Sequence, residues 1–161
     1  MKETVVIASL LGNIRLVAED GFLLSCSFTE DPLSEKTNNL FFLDIISQLT
    51  YYFEGNLKLF DVPVAIGGSE FQKKVWMEVN KTPFGQTASY KDIACALDKP
   101  TAVRAVGAAN GKNPLLIIIP CHRIIASTGE LTGYAGGLWR KLKLLQMEAV
   151  DKPGRLFNIG F

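Results

Sequence analysis

A cysteine and a histidine stand side by side at Cys121-His122, and His122 is the only histidine in 161 residues. A thiol beside an imidazole is enough for nucleophilic chemistry: the thiolate attacks and the imidazole takes the proton. The pair follows an apolar run, Leu115 to Ile119, ended by Pro120, and precedes Arg123. Such surroundings bury a thiol and raise its pKa, whereas Arg123, or a protonated His122, opposes the rise. Adjacent side chains on extended chain point to opposite sides, so His122 is expected to reach the sulfur through a bridging water. A structural buried cysteine beside an incidental histidine is the alternative, and the pair alone leaves both open. Glu148 is a candidate to orient the imidazole, as a carboxylate does in nucleophile–base–orienter arrangements. It falls near the C-terminal end of its predicted helix, where a carboxylate opposes the macrodipole. An ordinary surface glutamate is the competing reading. Arg104 lies in the first turn or so of a predicted helix, among Ala102, Val103, Ala105 and Val106. It is free to project, or is a phosphate-contacting or solvated arginine. Tyr90 is a candidate hydroxyl donor or a packed aromatic.

The small counts exclude whole classes. One histidine rules out a multi-histidine metal site and a two-histidine acid–base scheme. Cys26, Cys95 and Cys121 lie 69 and 26 residues apart, neither zinc-ligand spacing nor a disulfide scaffold. A reducing compartment, the cytoplasm, is therefore expected. The start lacks a signal-peptide pattern, and five apolar residues are far short of the about 20 that a span needs. The net charge of +1 hides a split. Residues 1–68 hold 4 Lys/Arg against 9 Asp/Glu, net −5, and residues 69–161 hold 13 against 7, net +6. The second part is the one expected to meet a polyanion.

The elements that must position these residues are legible in outline. Thr4–Ser9, Asn13–Ala18 and Phe22–Phe28 are short β-type runs separated by turn chemistry, with Asp20-Gly21 marking a hairpin. Leu40 to Phe53 carries a helical apolar face stopped by Gly55-Asn56, and Leu57–Phe60 is a candidate strand. Asp61 to Ser69 is the expected linker. Ser69 is placed to cap a helix through Val79, with Phe71, Val75, Trp76 and Val79 on one face. Ser89-x-x-Asp92 resembles a capping box for a short helix through Leu97. After the turn Asp98-Lys99-Pro100, Thr101 is the expected cap of a second short helix through Asn110. Two short helices and a tight turn in a basic region fit a helix-turn-helix, although most helix pairs merely pack. Leu115–Ile119 reads as a buried strand, Gly133–Gly137 as a flexible loop, and Leu138–Glu148 as an amphipathic helix carrying Arg140, Lys141 and Lys143.

The stretch N-P-L-L-I-I-I-P-C-H-R-I-I, Asn113 to Ile125, resembles the acceptor signature of the O6-alkylguanine-DNA alkyltransferases. The likeness begins near Phe71-Gln72-x-x-Val75-Trp76 and passes through Pro83-Phe84-Gly85, Ser89-Tyr90 and the run Arg104 to Gly111. It continues through Gly133-Tyr134-Ala135-Gly136-Gly137-Leu138 to Glu148. About ninety residues align, while residues 1–60 match only in outline.

The resemblance implies an α+β protein. A small ribonuclease-H-like N-terminal α/β domain, residues 1–68 with the linker, precedes a mostly helical, winged-helix-like domain with a helix-turn-helix, residues 69–161. It implies that the protein binds double-stranded DNA in the minor groove, independently of sequence and as a monomer, and flips the damaged nucleotide out. Arg104 would fill the gap, Ala102, Ala105 and Ala109 would let the helix approach, and Arg123 would also face DNA. Cys121 would take the alkyl group from O6-alkylguanine, and from O4-alkylthymine, once and irreversibly. His122 would be the water-mediated base and Glu148 its orienter. Tyr90 would donate a proton to guanine N3, and Asn113 would brace the turn. Tyr134, Ala135, Ile124 and Pro120 would form the base pocket, with carbonyls near Cys121 and Ile124 reading the base. No cofactor and no structural zinc are expected, since the first domain has only Cys26 and no histidine. The rival readings are a DNA-binding regulator or alkyltransferase-like lesion sensor without transfer, and a Cys-His hydrolase.

Overall fold

The computed structural model describes residues 1–149 and the backbone of 158–159, so the last residues of the expected second domain lie outside the described residues. The chain divides into two compact units, Met1–Gly67 and Gly68–Phe161.

The first unit is a three-stranded antiparallel meander followed by one helix. Strands β1 (Glu3–Ile7), β2 (Ile14–Glu19) and β3 (Phe22–Phe28) pair in the order β1-β2-β3. Only two residues join β2 to β3, and both have positive φ: Asp20 at 51° and Gly21 at 79°. That is the backbone a type I′ turn needs, so the Asp-Gly dipeptide fixes the register. A bulge at Val17/Ala18 shifts the ladder once. Helix α1 (Leu40–Phe53) starts at Asn39, whose side chain accepts the Phe41 N–H. It buries Phe42, Ile45, Leu49 and Tyr52, one face at helical spacing. The strand expected at Leu57–Phe60 is absent. The chain instead pairs later, where Leu23 donates to Pro63 O and accepts from Ala65 N. Leu59 is 82% exposed, so those apolar residues lack the buried face that would hold a strand.

The second unit is mostly helical. Helix α2 (Glu70–Val79) opens with a complete capping box between Ser69 and Gln72, and buries Val75, Trp76 and Val79. A two-residue strand, β4 (Ala88–Ser89), leads into α3 (Tyr90–Ala96), where Ser89 and Asp92 close a second capping box. Asp98 turns the chain with φ 58°, and α4 (Val103–Gly111) follows. The expected Thr101 cap is not made: Ala102 occupies that position and no side chain caps the helix. Packing supplies what the cap does not. Val106 and Ala109 are buried, and Trp76 Nε1 donates to Ala109 O at 2.8 Å, tying α4 to α2.

The apolar run Leu115–Ile119 is not a strand. Leu116 to Ile118 form a turn, with Ile119 N–H bonded to Leu115 O. Asn113 makes the turn possible: its Oδ1 accepts Leu115 N–H at 2.9 Å and its Nδ2 donates to Ile119 O at 2.9 Å. Ile117 sits at φ 72°, a costly conformation for a β-branched residue that is held because its side chain is buried. A short apolar run signals burial, and a buried turn satisfies that signal as well as a strand does. The chain then forms a 3₁₀ turn (Cys121–Arg123), β5 (Ile124–Ile125) paired parallel to β4, and β6 (Glu130–Leu131) paired parallel to β7 (Asn158–Ile159). Helix α5 (Leu138–Glu148) begins after Gly137, which takes φ 90°.

Candidate active site

Cys121 and His122 open the 3₁₀ turn rather than lying on extended chain, so their side chains are not forced to opposite sides. Cys121 is 2% exposed. Burial pushes its thiol up to about 11, against a hydrogen bond from Asn113 and the charge of Lys141. The resting group is a protonated thiol, and a base must act at the moment of reaction.

His122 is fully buried, and its Nε2 lies 2.7 Å from Glu148 Oε1. Burial lowers the imidazole pKa, although Glu148 opposes this, so the ring is neutral at pH 7. An ionised carboxylate only accepts, so Nε2 carries the proton and donates it to Glu148. Nδ1 is then a free lone pair, and it has no protein partner among the described residues. This is the tautomer a general base needs.

Glu148 ends α5 and is itself buried. Arg123 Nη2 donates to Oε1 at 2.8 Å and Nε to Oε2 at 2.9 Å, while Nη1 donates to Thr82 O at 2.8 Å. Burial alone would push the Glu148 carboxyl up. His122 and Arg123 outweigh it and hold the pKa at about 2. The macrodipole penalty read from the sequence is thus met by a bidentate guanidinium.

Arg123 therefore does not face DNA. It is 6% exposed and spends its donors on Glu148 and Thr82. Ala109 is likewise buried, under Trp76. The rest of that group fits an outer face: Arg104 and Ala105 are exposed and Ala102 is half-buried. Tyr134 is half-buried and meets the His122 ring edge-on, with centroids 6.5 Å apart. Ala135 is exposed, whereas Pro120 and Ile124 are buried.

Two further buried polar residues adjoin the site. Lys141 is fully buried. Its Nζ donates to Ile124 O at 2.5 Å, Thr132 O at 3.0 Å, Gly133 O at 3.2 Å and the Tyr90 hydroxyl at 3.4 Å. Burial pushes its pKa down to about 8. Tyr90 donates to Thr132 O at 2.7 Å, so one ammonium and one phenol clamp the 132–133 loop. Asn110 is the other, with Nδ2 donating to Cys121 O at 3.3 Å.

The three free cysteines differ in a measurable way. Cys95 is exposed, whereas burial pushes the Cys26 thiol to about 12 and Cys121 to about 11. Iodoacetamide at pH 7.4 is expected to alkylate Cys95 first and leave the other two intact in the folded protein. Peptide mass mapping checks this, and equally fast labelling of Cys121 would show an open thiolate.

Two short helices joined by a turn, α3 and α4, share their unit with a buried cysteine next to a hydrogen-bonded His122–Glu148 pair, the makings of a nucleophilic, nucleic-acid-binding protein. Family models agree over nearly the whole chain: "6-O-methylguanine DNA methyltransferase, ribonuclease-like domain" matches residues 3–66, and the DNA binding domain of the same description matches 70–150. A methylated-DNA–protein-cysteine methyltransferase of Methanosarcina barkeri is 46% identical over 139 residues, covering 86% of this chain and 88% of that protein. One from Mycolicibacterium paratuberculosis is 42% identical, covering 91% and 85%. The solved O6-methylguanine methyltransferase of Mycobacterium tuberculosis superposes with TM-score 0.84 at 37% identity, covering 96% of this chain and 97% of that one. A complex of the M. tuberculosis protein with DNA gives 0.83 at 39%, covering 92% and 94%. The chain belongs to the 6-O-methylguanine DNA methyltransferase family.

Proposed function

We propose that this protein repairs DNA by moving the alkyl group of O6-alkylguanine onto Cys121, once per molecule. The observation that carries the proposal is the buried site itself: Cys121 and His122 in one turn, His122 Nδ1 without a protein partner among the described residues, and Nε2 hydrogen-bonded to Glu148. The thiol proton passes through a bridging water to Nδ1. Sulfur bonds to the alkyl carbon as the C–O6 bond breaks, and the electron pair withdraws into the guanine ring. Tyr90 donates a proton to N3, so the proton lost by the thiol is balanced by the one guanine gains. The resulting thioether has no good leaving group, and the protein is consumed.

The stacked base is out of reach of a buried sulfur, so the nucleotide must leave the helix. Arg104, exposed near the start of α4, takes the gap, and the small residues Ala102 and Ala105 let the helix approach the minor groove of any sequence. The net charge of +6 in residues 69–161 favours the polyanion. We place the protein in the cytoplasm, where three unpaired cysteines stay reduced, and take it to act as a monomer. No helix of the described residues is long and apolar enough to cross a membrane. O4-alkylthymine is the second substrate of this reading.

Incubation with a duplex containing O6-methylguanine tests it. The Cys121 peptide should gain one methyl mass at one equivalent, and no gain would reject transfer in favour of lesion binding alone. Sustained turnover would reject single use. Arg104→Ala should slow repair of duplex DNA at least tenfold and leave the reaction with free O6-benzylguanine within about twofold, because the free base needs no flipping. Equal losses on both substrates would contradict the finger role.

A further inference from the structure

The turn Pro83–Gln86 takes no part in the chemistry of Cys121, yet it lies against the network that holds His122. The Gln86 N–H donates to Pro83 O at 3.1 Å and closes a β-turn with Phe84 and Gly85 at its centre. Gly85 takes φ 76° whereas Phe84 stays in the negative range, the pattern of a type II turn. That backbone favours glycine at 85, although asparagine also tolerates it. A second constraint is stricter. A Cβ added at Gly85 would stand 3.2 Å from the backbone oxygen of Glu148. Backbone at the end of a helix does not swing aside as a side-chain tip does, so the Gly85 Cα abuts the very residue that carries the carboxylate.

The same segment meets Arg123 twice. Thr82 O accepts Arg123 Nη1 at 2.8 Å, and the guanidinium carbon lies 5.7 Å from the centroid of the Phe84 ring. The other guanidinium donors grip Glu148, whose Oε1 also takes the His122 Nε2–H at 2.7 Å. Residues 82–85 therefore bound the carboxylate from its backbone side through Gly85 and from its counter-charge side through Phe84. A hydrogen bond needs both distance and alignment, so a displaced Glu148 loses its hold on the His122 proton.

We infer that Gly85 and Phe84 are positioning residues of the transfer reaction: their turn fixes where the Glu148 carboxylate stands, and so keeps the imidazole proton on Nε2 and Nδ1 open. Glycine is needed at 85 for its closeness to Glu148 and not only for its φ. The inference rests on the function proposed above, because it gives these residues a share in that reaction.

Gly55 separates the two demands on glycine. It takes φ 80° with nothing within 4 Å of an added Cβ, and it lies in the first unit. Gly55→Ala thus carries the same backbone cost as Gly85→Ala without the contact. Nitrogen-15 histidine labelling reports one imidazole, since the chain has one histidine. In the wild type at pH 7 the Nε2 proton should resonate far downfield, as a proton held by a carboxylate does. In Gly85→Ala it should move upfield and exchange faster with water. Reaction of that variant with free O6-benzylguanine should slow roughly tenfold, as misplacement in a reacting assembly does. Gly55→Ala should keep the wild-type spectrum and rate, whatever it loses in melting temperature. Phe84→Leu should slow the reaction about threefold, and Phe84→Tyr, which keeps the aromatic face, should restore it. Equal rates in the two alanine variants, or an unmoved His122 proton in Gly85→Ala, overturns the inference alone. A moved proton at full rate does so too, because the turn then shapes the network without serving the reaction. If Gly85→Ala does not fold, the Phe84 variants decide, and a wild-type rate in Phe84→Leu overturns the inference. Absence of transfer by the wild type itself would overturn the function, and the share in it assigned here.

Discussion

Glu148→Ala is expected to cost about 3–5 kcal/mol of folding stability, because it strands a buried guanidinium. Arg123 directs Nε and Nη2 at that carboxylate, and its exposure of 6% offers no route to water. His122 loses the acceptor of its Nε2–H in the same step. Glu148→Gln keeps a neutral acceptor for one donor and should cost less, though it leaves Arg123 without its counter-charge. Chemical denaturation of wild type and both variants at pH 7 checks the order. A loss below about 1 kcal/mol in Glu148→Ala would mean that the ion pair is idle. The same network predicts the acid limb. Glu148 has a folded pKa of about 2 against an ordinary 4.5, so its contribution is complete above 4.5 and is lost as pH falls towards 2. His122 is also depressed, from 6.5, so the unfolded chain binds a proton there that the folded protein refuses. Stability should therefore begin to fall below pH 6.5 and steepen below 4.5. His122→Gln should remove the first decline and shrink the second, since His122 is one of the two partners that hold the Glu148 pKa down. Transfer should fail in Glu148→Ala even where the fold survives, since nothing then holds the proton on Nε2.

What the sequence made legible was whatever depends on neighbours in the chain. Asp20-Gly21 specifies its turn, Ser69 and Gln72 their capping box, and both are formed. The Cys121-His122-Glu148 grouping came from residue chemistry and resemblance, and the hydrogen bond between His122 and Glu148 is present at 2.7 Å. The failures are tertiary. Leu115–Ile119 looks like a strand because it is apolar and β-branched, yet a turn buries it equally well once Asn113 supplies the missing backbone partners. Arg123 looks like a DNA contact because it is basic in a basic domain, but its partner is 25 residues away. Lys141 was legible after all. Lys141, Leu144, Leu145 and Glu148 fall at i, i+3, i+4 and i+7, one face of α5, and all four are buried. A helix phase anchored on Leu144 and Leu145 places both charges inside. Composition, which counts Lys141 with Arg140 and Lys143, places it outside.

Lys141→Met is the sharper test of that inward face, because methionine matches the length of the stem and removes only the donors. Without the ammonium, Ile124 O and Gly133 O lose the charged donor they share, while Thr132 O keeps the Tyr90 hydroxyl. The Ile124 carbonyl is buried and costs about 1–3 kcal/mol when left unpaired, whereas exposed Gly133 can turn to water, and relief from burying a charge offsets part of the cost. A net loss of about 2 kcal/mol is expected, smaller than in Glu148→Ala. The effect on transfer should be larger than that figure suggests. Lys141 holds in common Ile124 just after Cys121, the 132–133 loop and the Tyr90 oxygen, so removing it frees Tyr90 and that loop together. Reaction with O6-benzylguanine, which needs no flipping, should slow by about 10–100-fold, as misplacement at a reacting centre does. Lys141→Arg should not rescue it. A planar guanidinium is rigid and larger, whereas this site converges four oxygens on one nitrogen. Stability lost without a change in rate would reduce Lys141 to a packing residue. A lost rate at nearly full stability would establish it as the group that positions Tyr90.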